Sequence, residues 1–468
     1  MLRSFVKRFS FPFFANREGL GGFMQELRSL EDSQFWPAER IMQMQQLRLK
    51  KIMIHAYEHT RFYRRRFQEA GFNPYTFRHP DAIKTLPVLT REEVRDNLPD
   101  MVAENHAPTD LHLSQTGGTT GVQMRFYRSN ACLAGKEAAI YRFEKWTGWD
   151  FGEPIGVVWP ARQDHAGYRT VKSQIRNELF RRQIVFAAAV IDDASCEDYL
   201  RKIVKKRPAI IRAFSSPIHD LARFVQRSDC ADIRLKAVVT TGEPLYAHQR
   251  RTISRAFNCP VFDSYRSREA GPIAQECEVH RGMHINAECL HIEVDGLNGY
   301  NEHDGLTGAL IVTDLLNYGM PLIRYDTGDE GSLGSRSCPC GRGLPLLERI
   351  AGRAGDMLVS PEGRRVTPAA LNLYLIGEAP DLVGQMQVVQ DRIDHLTIRV
   401  TKNPAPTPEN MQYQKTMVEQ LFGPGMRVHF EIVDCIPREK SGKYLFTRRS
   451  IPLPERMTEE KDRMSGSG

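Results

Sequence analysis

Between residues 155 and 265 the chain repeats one pattern: a short apolar run, a turn, then a stretch of helical length. The runs are IGVVW at 155–159, QIVFAAAVI at 183–191, AIIRAF at 209–214, LKAVVTTGE at 235–243 and PVFDSY at 260–265. Apolar runs that alternate with helical stretches require sheets covered by helices, so this region is expected to form an α/β sandwich of buried sheets. After residue 284 the runs alternate and pair like hairpins (HIEV, GALIVTDL, MPLIRYDTGDEGSL), which reads as a smaller β subdomain.

Upstream, Ile41, Met44, Leu47, Ile52, Ile54 and Ala56 fall near helical spacing. They predict a long amphipathic helix followed by a second, whose RFYRRRF run reads as a solvated basic face. Thr90 and Glu93 have the spacing of a capping box. A chain of 468 residues accommodates two or three domains at ~150 residues each. Gly352, Gly355, Pro361 and Gly363 interrupt the chain before a new α+β pattern begins, placing a boundary at about 353. The domains are therefore 1–352 and 353–468.

With 41% hydrophobic residues the chain fills buried cores and is not a disordered tail. No apolar run reaches the ~20 residues of a membrane-spanning helix, so no transmembrane segment is expected. The net charge of +7, from 64 basic and 57 acidic residues, is too diffuse for a nucleic-acid footprint but suits anionic small ligands. Nine scattered cysteines without a secretory leader indicate a reducing, cytoplasmic setting. The amino-terminal MLRSFVKRFSFPFF is read as an arm packed on its own domain, with an amphipathic surface anchor as the alternative.

The densest chemical feature is Ser114-Gln115-Thr116-Gly117-Gly118-Thr119-Thr120-Gly121. Glycines let successive N–H groups converge and hydroxyls add donors, which makes a nest for phosphates. It matches neither the P-loop nor the dinucleotide-binding glycine pattern. A second cluster, Asp263 to Glu269, follows a strand and offers Tyr265 as a flat face for a base and Glu269 as a ligand for Mg²⁺. In Arg324-Tyr325-Asp326-Thr327-Gly328-Asp329, a carboxylate beside a glycine turn can accept both ribose hydroxyls. Gly352-Arg353 lies at the proposed boundary. Pro437 to Lys443 is a glycine-bearing turn presenting Lys443, suited to neutralising an anionic transition state.

Cys277-x-x-His280 and Cys338-x-Cys340 supply two pairs of soft ligands on turns, the donor set of a structural Zn²⁺ site, with His284 as the competing fourth ligand. Cys259, Cys289 and Cys435 lie in or beside apolar runs and read as core.

The order of these elements resembles the adenylate-forming (acyl-CoA synthetase) superfamily, in its phenylacetate-CoA ligase-like branch, which includes relatives from capsule-synthesis loci. The resemblance spans roughly residues 35 to 450. It implies a large AMP-binding domain, 1–352, and a small mobile α+β domain, 353–468, that carries the catalytic lysine loop. It also implies that the 114–121 loop holds the ATP β and γ phosphates and that Gly242-Glu243-Pro244 lines the adenine site. Tyr265 would stack on the base, Glu269 hold Mg²⁺, Asp329 and Arg353 bind ribose, and Lys443 bridge carboxylate and α-phosphate.

Two positions depart from the family pattern: Arg266, where a glycine commonly follows the tyrosine, and Gly355 beside Asp356 at the usual hinge aspartate. Similarly patterned relatives carry zinc, which supports the cysteine reading. The implied activity is ATP-dependent activation of a small carboxylic acid, then transfer to coenzyme A, in an enzyme that binds no nucleic acid. A homodimer is the default expectation. The alternatives are delivery of the acyl group to an amine, hydroxyl or carrier protein, a zinc-stabilised nucleic-acid-binding protein, and an inactive nucleotide-binding scaffold. Tyr141, Trp146 and Trp149 are candidates for the acyl pocket, although such spacing more often marks core.

Overall fold

The structure, a computed structural model, describes residues 6–17, 19–115, 124–159, 177, 180–187, 193–228, 233–296, 300–301, 305–334, 337–353, 357–362, 365–366, 368–376, 385–402, 406–437 and 444–451. The chain divides into two compact units, Met1–Ala351 with Arg438–Tyr444, and Gly352–Pro437 with Leu445–Gly468.

In the larger unit the helices are α1 (Phe23–Ser33), α2 (Ala38–His59), α3 (Arg61–Glu69), α4 (Asn130–Trp146), α5 (Asp193–Lys206), α6 (Ser215–Arg227) and α7 (Ala247–Phe257), with shorter ones between. A hairpin of β1 (Leu111–Gln115) and β2 (Arg125–Ser129) precedes α4. The main sheet starts with β3 (Ile155–Trp159), β4 (Gln183–Ala187), β5 (Ile210–Phe214), β6 (Ala237–Thr241) and β7 (Val261–Ser267). It continues with β8 (Gly271–Glu276), β9 (Met283–Ile285) and β10 (Leu290–Asp295). A two-strand ribbon, β11 (Tyr300–Asn301) and β12 (Gly305–Leu306), stands before the last three strands, β13 (Gly308–Asp314), β14 (Tyr325–Gly334) and β15 (Leu346–Arg353).

Among the described residues the sheet has eleven strands in the order β10-β13-β14-β15-β9-β8-β7-β6-β5-β3-β4. Strands β3 to β7 run parallel, and pairing turns antiparallel from β8 onward. The hairpin strands expected after 284 therefore exist, but they are hydrogen-bonded into the same sheet as the parallel ones.

The apolar runs are continuous because both faces of the parallel strands are covered. Ile155, Ile210, Val239 and Phe262 pack toward Ala134, Ala138 and Phe143 of α4. Val158, Ile211, Val238 and Val261 pack toward α5, α6 and α7 through Leu200, Leu221, Ile253 and Phe257. A third cluster joins α2 and α3 to β2 and the start of β14. In RFYRRRF, Phe62, Tyr63 and Phe67 are buried, Arg66 pairs with Glu93 at 2.7 Å and Arg61 with Glu104 at 2.9 Å. The basic run thus has a packing task. Thr90 and Glu93 make both bonds of the capping box.

The amino-terminal arm is docked. Phe11 is 1% exposed and meets the rings of Phe23, Tyr141, Phe151 and Phe180. Its helix, Phe11–Arg17, has seven residues, too few to persist alone, so the roughly 1.5–3 kcal/mol from burying Phe11 is what holds it. Among the described residues no helix is long and apolar enough to cross a membrane.

Charges are buried in pairs. Arg142, fully buried, binds Glu288 at 2.6 Å and Asn286 at 2.8 Å, and Ser33 donates to the same Glu288 oxygen, so α1, α4 and the approach to β10 are tied together. Burial, reinforced by His248 and Arg223, pushes His219 down to about 3, and burial pushes His291 to about 4, from an ordinary 6.5. The unfolded chain takes up these protons at higher pH than the fold. The stability they contribute is complete above about pH 6.5 and is lost as pH falls through about 4. The melting temperature is expected to drop between about pH 7 and about pH 5, and a flat profile there would contradict their burial as neutral rings.

The smaller unit, by itself, has among the described residues a four-stranded sheet in the order β20-β19-β18-β21, from β18 (Met386–Arg392), β19 (His395–Thr401), β20 (Arg427–Val433) and β21 (Thr447–Arg449). Its helices are α8 (Pro368–Ile376) and α9 (Pro408–Phe422), and a short ribbon pairs β16 (Leu358–Val359) with β17 (Arg365–Val366). Val388, Ile398, Val418 and Phe422 form its core. Cys435, expected as core, is exposed: its neighbour Ile436 takes the inward position.

Candidate functional site

Strands β5, β6 and β7 are parallel, so their carboxyl ends share one edge of the sheet, where open α/β sheets bind ligands. Gly242 follows β6 directly. Its φ of +78° is left-handed, and a Cβ there would stand 2.9 Å from the Phe214 ring, so the position requires glycine. The turn sends Glu243 back toward the start of α6. Its carboxylate accepts from the Ser216 N–H at 2.8 Å and the Tyr444 N–H at 2.7 Å. Lys443, next in the chain to Tyr444, lies outside the described residues. Pro244 follows the bend.

At the end of β7, the Tyr265 hydroxyl donates to Asp329 Oδ2 at 2.6 Å, joining two motifs 64 residues apart. A bulge makes that meeting possible. Ala309 faces Glu330 and Ile311 faces Asp326, so residues 327 to 329 of β14 stand against one residue of β13. Gly328 takes a left-handed φ of +75°, its N–H donates to Asp326, and the Asp329 N–H donates to Thr327. The extra residues lift Asp329 from the ladder, the usual way a bulge re-aims a side chain.

Glu269 is 6% exposed. Its Oε1 accepts from Arg91 at 3.1 Å and from the Tyr325 hydroxyl at 3.2 Å, while Lys136 donates to its carbonyl at 2.9 Å and pairs with Asp314 at 2.5 Å. One or two carboxylates, completed by substrate phosphates, are the usual protein share of a Mg²⁺ centre, and the Glu269 carboxylate offers that donor chemistry. Arg91, Lys136 and Tyr325 were not singled out for this site from the sequence, and no local signal marks the first two: they come from remote segments. Asp263, on the same strand as Tyr265, is pushed up to about 7 by burial and then by the nearby Glu276 charge.

Ser114 and Gln115 are the described part of the glycine-threonine segment, and Arg128 of the paired strand donates to the Ser114 hydroxyl at 2.7 Å and 3.1 Å. Thr116, Gly117, Gly118, Thr119, Thr120, Gly121, Gly355 and Asp356 lie outside the described residues, as does the side chain of Arg353. Tyr141, Trp146 and Trp149 are core: they are 5%, 9% and 3% exposed, and the Trp146 indole donates to Gln34 at 2.7 Å.

The cysteine cluster assembles with a different histidine. Donor atoms of Cys277, His284, Cys338 and Cys340 all lie within 4.8 Å of one another. The Cys277 and Cys338 sulfurs are 3.6 Å apart, and Cys340 Sγ is 3.2 Å from His284 Nε2. A tetrahedral Zn²⁺ with bonds of about 2.3 Å to sulfur sets its sulfurs roughly 3.8 Å apart, so this set fits that ion. The Leu344 carbonyl, 3.2 Å from His284 Nδ1, orients the ring with Nε2 toward the sulfurs. His280 is excluded by its backbone. A left-handed φ of +53° turns it away, onto the Phe262 ring and toward Glu276 at 3.1 Å.

Residues 358–450 match the CapK C-terminal domain family. Protein CapK of Staphylococcus aureus is 27% identical over 388 residues, covering 79% of this chain and 80% of that protein. The phenylacetate-coenzyme A ligase of Thermus thermophilus is 26% identical over 363 residues, 76% of this chain and 79% of that one. Among solved structures, 2-hydroxyisobutyryl-CoA ligase in complex with R3-HIB-AMP superimposes with a TM-score of 0.72 at 21% identity, over 89% of this chain and 90% of that one. This last likeness is one of fold.

Proposed function

We propose that the chain is a member of the CapK and phenylacetate-CoA ligase-like branch of the adenylate-forming superfamily, and that it activates a carboxylic acid with ATP and passes the acyl group to coenzyme A. The observation that carries this reading is the 2.6 Å bond between Tyr265 and Asp329 at the carboxyl edge of the sheet. It holds a flat ring beside a carboxylate, the pair that would meet base and ribose, where the neighbouring strands β6 and β7 run toward Gly242 and Tyr265.

In the first half-reaction a carboxylate oxygen attacks the α-phosphorus of ATP, forming an acyl-adenylate and releasing pyrophosphate. Two anions must approach, so the residues' work is alignment and charge neutralisation. The glycine-threonine segment from Ser114 to Gly121 would receive the β and γ phosphates, Asp329 and Arg353 the ribose, and Lys443 the reacting oxygens. A Mg²⁺ on Glu269 would neutralise phosphate charge. In the second half-reaction the coenzyme A thiolate attacks the acyl carbon and AMP leaves with its phosphate oxygen. The same adenylate would also serve an amine, hydroxyl or carrier thiol. AMP release that accelerates with coenzyme A supports the ligase, and AMP release indifferent to it favours another acceptor.

Asp329→Ala is expected to weaken ATP binding by roughly 1.5–3 kcal/mol, the value of hydrogen bonds to a charged group, or about 10- to 100-fold in Kd. Unchanged affinity in equilibrium titration would remove Asp329 from the ribose site. We further assign a structural Zn²⁺ to Cys277, His284, Cys338 and Cys340, on the donor spacing and the carbonyl-oriented ring described above.

A further inference from the structure

Between α4 and the sheet lies a group of five charges among the described residues, Glu137, Glu144, Arg181, Arg212 and Arg266, in which cations outnumber anions. Glu137 and Glu144 are seven residues apart on α4 and so share a face. Glu137 pairs with Arg181 at 2.8 Å, and Glu144 with Arg212 of β5 at 2.6 Å. Arg266 of β7 is the third cation. Its guanidinium donates to the Ser264 hydroxyl at 2.8 Å and to Gln275 Oε1 at 3.2 Å, both neutral. Among the described residues no carboxylate lies within ion-pair distance of it. Burial, and then repulsion from Arg212, push Arg266 down to about 10. A half-buried guanidinium without a counter-ion is costly, and both nearby glutamates already have arginines of their own.

Arg266 follows Tyr265 on β7, and because strand side chains alternate its guanidinium lies with Ser264 and Gln275 on the face that meets α4, one strand position from the residue that binds Asp329. On the reading of this site as an adenylating centre, with Tyr265 turned to the nucleotide, the opposite face of β7, toward α4, is the side left for the acyl part of the substrate. We propose that the acid carries a second anionic group, and that Arg266 is the residue that receives it. A site built to bind a polar group strongly rejects an analogue lacking that group, because the protein's own donor is then left unpaired. The substrate class is thus a dicarboxylate or similar dianion rather than an apolar arylacetate.

The test is ATP–pyrophosphate exchange with succinate, glutarate and adipate against butyrate, valerate, hexanoate and phenylacetate, in wild type, Arg266→Gln and Arg266→Lys. The dicarboxylates are expected to exceed their matched monocarboxylates by about 10²-fold or more in kcat/KM. Arg266→Gln should collapse that ratio, and Arg266→Lys should restore part of it. A wild-type preference for hexanoate or phenylacetate overturns this inference while leaving adenylation standing. If no acid supports exchange, calorimetric titration of glutarate into the ATP-saturated protein decides. Binding that disappears in Arg266→Gln keeps the anion site and removes the adenylating reading, and absence of binding removes both.

Discussion

Lys443→Ala is expected to lower the rate of acid-dependent pyrophosphate release by about 10²–10³-fold, the usual cost of removing one preorganised donor from a developing charge. The carboxylate and the α-phosphate repel until a cation lies between them, and that need is greatest as the new P–O bond forms. ATP affinity should hardly change, because the triphosphate is gripped elsewhere. The loss should thus appear in kcat rather than in nucleotide binding. Thioester formation from supplied acyl-adenylate should fall much less, since a thiolate attacking an acyl carbon needs no cation between two anions at that place. Lys443→Arg keeps the charge but replaces a compact ammonium with a planar fork, so it should recover only part of the rate. Unchanged pyrophosphate release in Lys443→Ala would remove this residue from the chemistry.

The second large effect concerns the metal. Cys277 follows β8, His284 lies on β9, and Cys338 and Cys340 precede β15, so one ion would fasten three adjacent strands. Structural zinc is worth about 10–16 kcal/mol in small zinc-finger peptides, comparable with the 5–15 kcal/mol that holds a whole domain together. Replacing Cys338 and Cys340 together by serine is therefore expected to abolish zinc content and to lower the melting temperature steeply, with chelation of the wild type giving the same shift. His284→Ala should lose the metal and His280→Ala should keep it. Wild-type protein that contains no zinc, or that melts identically with and without chelator, would remove the site.

That pair of histidines shows what the sequence could and could not reveal. The C-x-x-H spacing favours His280, and nothing local announces that residue 280 turns left-handed and sends its ring to Glu276. His284 reaches the cysteines because β9 pairs with β15, a contact more than sixty residues away in sequence. The parallel strands were legible because burial on both faces writes an uninterrupted apolar run. Tyr265 and Asp329 were each legible as motifs, yet their meeting depends on a bulge set by the register of β13 and β14. Arg91 and Lys136 were invisible as partners of Glu269: each reads locally as an ordinary helical cation. Cys435 misled because apolar neighbours indicate a strand but not which of its faces is covered.

The most direct measurement is acid-dependent exchange of labelled pyrophosphate into ATP, because exchange requires reversible formation of an enzyme-bound acyl-adenylate. Exchange is expected with at least one class of small carboxylic acid, strictly dependent on that acid and on Mg²⁺. Protein that binds ATP but supports no exchange across aryl, arylacetic, hydroxy, short-chain and dicarboxylic acids would contradict an adenylating enzyme.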